Sequence, residues 1–150
     1  MNVRTATAGS TPAVWRDFLE LTKPRLTLFV LIVVCLCAWL AFPGRVDFWV
    51  LFHAVLGAGL VGGGASALNQ FLERDQDARM RRTKGRPVPA GRIQAWEAIV
   101  FGSTLGVVDL TELAVFTTPL AAVLAALTLI SYVGIYTPLK RVTTLNTHIG

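Results

Sequence analysis

Asn69, Glu73 and Asp77 recur at i, i+4 and i+8 within Leu68-Asn-Gln-Phe-Leu-Glu-Arg-Asp-Gln-Asp-Ala-Arg-Met-Arg-Arg-Thr83. On a helix advancing about 100° per residue, these side chains fall within an arc of about 80° and stack along one face. An amide and two carboxylates are hard oxygen donors of the kind Mg²⁺ takes, an ion that keeps positions for water and substrate phosphates. Asp75 projects to the opposite side and is not expected to be a first-choice ligand. A lone N-x-x-x-E-x-x-x-D pattern is explained as well by acids pairing with neighbouring arginines on a solvated face. The segment that follows favours chemistry. Arg82-Thr-Lys84-Gly-Arg86-Pro-Val-Pro-Ala-Gly-Arg92 is a cationic loop, in which prolines fix φ and glycines permit tight turns. Carboxylates for a metal, followed at once by Arg and Lys, form the pairing that diphosphate binding requires.

The elements that must position these residues are apolar. Of 150 residues 53% are hydrophobic and only 15% charged, where soluble domains carry about a quarter charged residues. The mean hydropathy is +0.57. The apolar residues fall into four blocks, about 26–42, 48–68, 95–116 and 120–136, each near the roughly 20 residues needed to cross a hydrocarbon core. An all-α, polytopic membrane bundle of four helices is expected. The chain forms one membrane domain, with 1–25 as an N-terminal segment and 69–94 as a loop carrying the motif. The first block is expected to be a retained span, since its polar leader and apolar run are both too long for a usual signal peptide.

Basic residues set the orientation. Arg4, Arg16, Lys23 and Arg25 precede the first span, and Lys140 and Arg141 follow the fourth. Arg74, Arg79, Arg81, Arg82, Lys84, Arg86 and Arg92 lie between the second and third, and only Arg45 falls on the other side. Such a bias places the N-terminus and the motif loop in the cytoplasm. The net charge of +5 is accounted for by topology, and a nucleic-acid partner has no further support.

Several polar and sulfur-bearing residues stand apart from the motif. Cys35 and Cys37 point to different faces of the first span, cannot form an unstrained disulfide, and are expected to be buried packing residues. Asp109 and Glu112 lie in the outer half of the third span, where a carboxylate is costly. They are expected to reach the outer interface or to be protonated, in preference to forming a proton pathway. His53 is expected at the outer interface and His148 in solvent on the cytoplasmic side. Gly59 and Gly63 make a small-xxx-small pair that admits a second helix, and Gly62-Gly63-Gly64 would ease a bend before the motif.

The order Asn69, Glu73, Asp77, then Arg82-Thr83 and Arg86-Pro87-Val88-Pro89-Ala90-Gly91, resembles the first aspartate-rich motif of the UbiA-type membrane prenyltransferases. The usual family form is N-x-x-x-D-x-x-x-D, and here Glu73 replaces the first Asp. The Asn-Gln…Glu-Arg-Asp-x-Asp form resembles the branch that farnesylates protoheme. Leu21-Thr22-Lys23-Pro24-Arg25 and Tyr136-Thr137-Pro138-Leu139-Lys140-Arg141…Leu145-Asn146-Thr147 agree with it, so the likeness runs from about Leu21 to Gly150. It implies transfer of a farnesyl group from farnesyl diphosphate to a vinyl group of heme B, giving heme O and diphosphate. It further implies Mg²⁺ on Asn69, Glu73 and Asp77, and diphosphate contacts from Arg82, Lys84, Arg86 and Lys140, with Arg82 and Lys140 foremost. A bacterial inner membrane location follows, with heme A synthase or cytochrome oxidase assembly factors as protein partners. The family has about nine spans and a second aspartate-rich motif, so this chain is expected to be its N-terminal half and by itself an incomplete enzyme. A sister prenyltransferase acting on a quinone-ring precursor and a non-catalytic membrane scaffold remain as alternatives, although Glu73-Arg74-Asp75 argues against the first.

Overall fold

The computed structural model describes residues 15–41, 44–137 and 139. Among them the protein is all helical. A short helix α1 (Trp15–Leu21) leads into α2 (Pro24–Ala41), α3 (Phe48–Arg79), α4 (Ala95–Phe116) and α5 (Pro119–Ile130). The last continues through wider π-helical turns over Ser131–Tyr136. Four stretches are long and apolar enough to cross a membrane: Pro24–Ala41, Phe48–Arg79, Ala95–Phe116 and Pro119–Tyr136. The protein is a multi-pass integral membrane protein.

Local chemistry starts and stops these helices. Asp47 caps α3, its Oδ1 accepting from Trp49 N at 2.9 Å and Val50 N at 3.4 Å, which satisfies amides that the first turn leaves unpaired. Gln94 and Glu97 form a capping box at the start of α4. Thr118 caps α5 and Pro119 occupies its first turn, where a missing N–H costs nothing. Between α1 and α2 the chain turns at Lys23, a non-glycine residue with φ of 49°. That left-handed backbone is strained for an L-residue, and Pro24 follows it as the first residue of α2. The turn places the lysine at the N-terminal end of α2, on the same end of the bundle as the motif.

The pairing of α3 with α4 forms the centre of the bundle. Its closest approach is at glycine: a Cβ on Gly64 would sit 2.9 Å from Gly102 O, and one on Gly102 would sit 3.0 Å from Gly64 O. Helix association in lipid depends on such close backbone packing, because acyl chains are as apolar as leucine. Of the three glycines that would have eased a bend, Gly64 serves this contact, and α3 runs through all of them unbroken to Arg79. The first part of the expected 69–94 loop is thus helical. We expect Gly64→Val to destabilise the protein by about 1–3 kcal/mol through overpacking, seen as a lower thermal midpoint in detergent. Gly85→Val, in open space, should change it far less.

Helices α2 and α5 flank this pair with no fully buried residue in either. Cys35 and Cys37 are both exposed on α2, contrary to the burial expected of them. In a helix that is apolar on all sides, sulfur is as compatible with a lipid-facing position as with a core.

Candidate functional site

Helix α3 carries Asn69, Glu73 and Asp77 on its buried side, at 3%, 6% and 3% exposure. Asp75 stands outward, its side chain 78% exposed and 3.7 Å from Arg74 Nε, as the helical spacing requires. Asn69 Nδ2 donates to Thr137 Oγ1 at 3.2 Å, and Thr137 Oγ1 donates to Tyr132 O at 2.8 Å. The C-terminal end of the last span is thereby tied to the first residue of the motif.

The loop after α3 folds back onto the same face. Thr83 Oγ1 donates to Asp77 O at 3.0 Å, and Arg86 donates to Asp77 Oδ2 at 2.6 Å. Val88 and Ile93 pack with Leu21, Ala67 and Ala98 in a small core, which holds the loop against α1. Arg92 closes it, pairing with Asp17 and Glu20 of α1 and donating to Gly85 O. Its guanidinium pKa is raised, first by the hydrogen bond to Glu20.

Two hollows meet alongside α3; their linings include Gln70 and Arg86, the partner of Asp77, but none of Asn69, Glu73 and Asp77. A cavity of about 390 Å³ is lined by Glu20, Lys23, Pro24, Arg25, Leu26, Gln70 and Arg86. Three of these side chains are cationic, so the cavity suits an anion. An apolar cleft of about 270 Å³ lies between α2, α3 and α5, and its lining includes Lys23, Leu26, Val30, Ala58, Gly62, Ser66 and Tyr132. Lys23 and Leu26 line both. A ligand with a phosphorylated head and a hydrocarbon tail would be matched across that junction.

The donors fit a hydrated Mg²⁺ in part. Among the described residues no group of three His, Cys, Asp or Glu converges as a metal site. The motif supplies two carboxylates and an amide, and Arg86 occupies one oxygen of Asp77. Gln70 is 1% exposed and its Oε1 finds no partner, an orphaned acceptor on the cavity wall. Few protein oxygens, with room for water and phosphate, is the arrangement Mg²⁺ tolerates best. Asn69, Glu73 and Asp77 would hold it, with Gln70 accepting from bound water.

Comparison with known proteins identifies the family. The model of the UbiA prenyltransferase family matches residues 30–150. The chain belongs to that family. It is similar to a protoheme IX farnesyltransferase of Legionella pneumophila (strain Corby), 42% identical over 149 residues, or 99% of this chain and 51% of the relative. It is also similar to proteins of the same name from Solibacter usitatus (40% identical, 90% of this chain, 49% of the relative) and Shewanella oneidensis (42%, 91% and 46%). The chain spans about half the length of the curated relatives it matches. No solved structure matches it.

Of the cationic residues expected on the diphosphate, Arg86 lines the cavity. Arg82 and Lys84 are exposed on the loop, and Lys140 and His148 lie outside the described residues. Lys23 and Arg25 line the cavity instead. Their signal in the sequence was the Leu21–Arg25 segment shared with UbiA prenyltransferases, which charge counting alone had assigned to topology.

The carboxylates of α4 are enclosed by protein. Asp109 is 0% exposed with neither oxygen partnered. Glu112 Oε1 lies 2.5 Å from His53 Nδ1. His53 is itself buried, stacked on Phe116 and edged by Trp49 with ring centroids 4.5 Å away in both cases. Glu112 on α4 meets the imidazole and three aromatic rings surround it, so His53 is a packed and paired histidine.

Proposed function

We propose that the protein transfers a farnesyl group from farnesyl diphosphate to a vinyl group of heme B, giving heme O and diphosphate, with Mg²⁺ held by Asn69, Glu73 and Asp77. The observation that carries this reading is the junction at Lys23 and Leu26 of a cationic cavity and an apolar cleft, beside the buried acids of α3. The printed names of its relatives support heme as acceptor.

Lys23, Arg25 and Arg86 bind the diphosphate and orient its C–O bond toward the cleft, where α2 and α3 receive the prenyl chain. Bound Mg²⁺ supplies neutralisation of the charge that builds on the departing oxygens. The C–O bond breaks with its electron pair leaving on diphosphate, and the vinyl π pair forms the new C–C bond. The vinyl carbon left electron-poor takes up water, which gives a proton to solvent. Until the C–C bond has formed, the apolar wall of the cleft must keep water from the allylic carbon.

Membranes in which this chain is supplied together with the remaining half of a UbiA prenyltransferase, with farnesyl diphosphate, heme B and Mg²⁺, should form heme O and diphosphate in equal amounts, whereas the 150-residue chain alone should form none. Prenylation of an aromatic acid in place of heme B would identify a quinone-ring enzyme, and no diphosphate release would identify a scaffold. The location consistent with this reading is a bacterial inner membrane, with N-terminus and motif loop cytoplasmic; heme A synthase or cytochrome oxidase assembly factors are partners that could receive heme O. Single cysteines placed within 83–92 in a variant lacking Cys35 and Cys37 should then label only from the cytoplasmic side, and one at Gly44 only from the outside. Outside labelling of 83–92 would overturn the orientation.

A further inference from the structure

One wall of the anion cavity carries the wrong charge. Glu20 lines it together with Lys23, Arg25 and Arg86, and an uncompensated carboxylate there would repel a diphosphate. Arg92 answers that carboxylate. One nitrogen of its guanidinium pairs with Asp17, a residue 6% exposed. The other donates to Glu20 Oε2 and to Gly85 O, both at 2.9 Å. An exposed ion pair by itself contributes little, because two long side chains must be held in one geometry. Here the guanidinium is already held by buried Asp17 and by the loop carbonyl, so its second arm meets Glu20 with little further ordering. The planar fork of arginine suits this bridging, and the point charge of lysine does not.

We propose that Arg92 is a positioning residue for diphosphate binding: it masks the Glu20 carboxylate on the cavity wall and fixes the loop carrying Arg86 against α1. The role rests on the reading of this cavity as a diphosphate site. It acts through Glu20 and Arg86 and needs no contact between Arg92 and the ligand.

The two parts of the role separate in a double-mutant cycle. The probe is inorganic diphosphate with Mg²⁺, titrated calorimetrically into the purified protein in detergent. Arg92→Gln should weaken binding roughly tenfold, the order expected for one unmasked charge several ångströms from an anion at partly screened depth. Glu20→Gln alone should change the affinity by no more than about twofold, since its charge is already answered. The double variant Arg92→Gln/Glu20→Gln should recover most of the loss, which no purely structural role would do.

Removing Arg92 also leaves Asp17 buried without this partner, so the fold of each variant is checked by its thermal midpoint. If Arg92→Gln does not fold, Arg92→Lys takes its place in the cycle. It keeps a cation beside Asp17, and its smaller loss should again be relieved by Glu20→Gln. A loss that persists unchanged in the double variant, or no loss in a folded single variant, overturns the proposal while leaving the cavity's assignment intact. Failure of the unsubstituted protein to bind Mg²⁺ diphosphate overturns the cavity's assignment and this role with it.

Discussion

In a full-length version of the enzyme, Asp77→Ala is expected to lower Mg²⁺-dependent prenyl transfer by a factor on the order of 10²–10³, the usual cost of removing one group that stabilises charge in the transition state. The carboxylate is 3% exposed, lies on the face shared with Asn69 and Glu73, and holds Arg86 at 2.6 Å. Its loss would therefore remove one of the proposed Mg²⁺ ligands and the anchor of a cavity cation together. The fold should survive, because Arg86 is partly exposed and can turn to water. Asp77→Asn keeps the shape and a hydrogen-bond acceptor for Arg86, but an amide oxygen is a weaker donor to Mg²⁺. Its activity should stay close to that of the alanine variant if the metal is what Asp77 serves. Recovery to near the parental rate would show that the tie to Arg86 is what matters.

Asp75 supplies the control. It is two residues away with a side chain 78% exposed, and Asp75→Ala should keep the rate within about threefold, as surface changes away from a site commonly do. Initial rates of heme O formation across a Mg²⁺ titration measure all three variants. Equal and complete losses at positions 75 and 77 would mean that both carboxylates reach the ion. Residues 73–79 would then have to unwind in the active state.

The bundle and the motif face were legible because each follows from a short-range pattern. Span length and apolar runs depend on local composition, and the stacking of Asn69, Glu73 and Asp77 depends only on helical pitch. What escaped was set by contacts between distant segments. Arg92 meets Glu20 72 residues away, and His53 meets Glu112 59 residues away. Counting charges gave Lys23, Arg25 and Arg92 one shared reason, the sidedness of the membrane, and could not separate cavity-lining cations from a loop clasp. Glycine carried two opposite messages, weak helix propensity and close helix approach. Gly102 on the neighbouring helix decides between them, since the backbones meet there. Cys35 and Cys37 were illegible for another reason: on a helix apolar all round, periodicity does not say which face meets lipid.

The pair of His53 and Glu112, at the end of the bundle away from the motif, should give the largest change in stability. Breaking a buried ion pair or its hydrogen-bonded neutral equivalent leaves one polar partner stranded. In proteins this costs about 3–5 kcal/mol. His53 and Glu112 have side chains only 8% and 10% exposed, and Trp49, Phe52 and Phe116 close around the imidazole. Glu112→Ala removes the partner of Nδ1 and opens a space too hemmed in by aromatic rings for water to serve freely. A destabilisation of about 3 kcal/mol is expected, read as an earlier unfolding midpoint in a denaturing-detergent titration. Glu112→Gln retains an acceptor for Nδ1 and should lose roughly half as much or less. His53→Phe/Glu112→Leu removes both polar groups and fills their volume, so it should unfold near the parental midpoint despite two changes, as replacements of buried pairs by apolar groups often do. A double variant as unstable as Glu112→Ala would show that the cost lies in packing against Phe116. The stranded imidazole would then not be the cause.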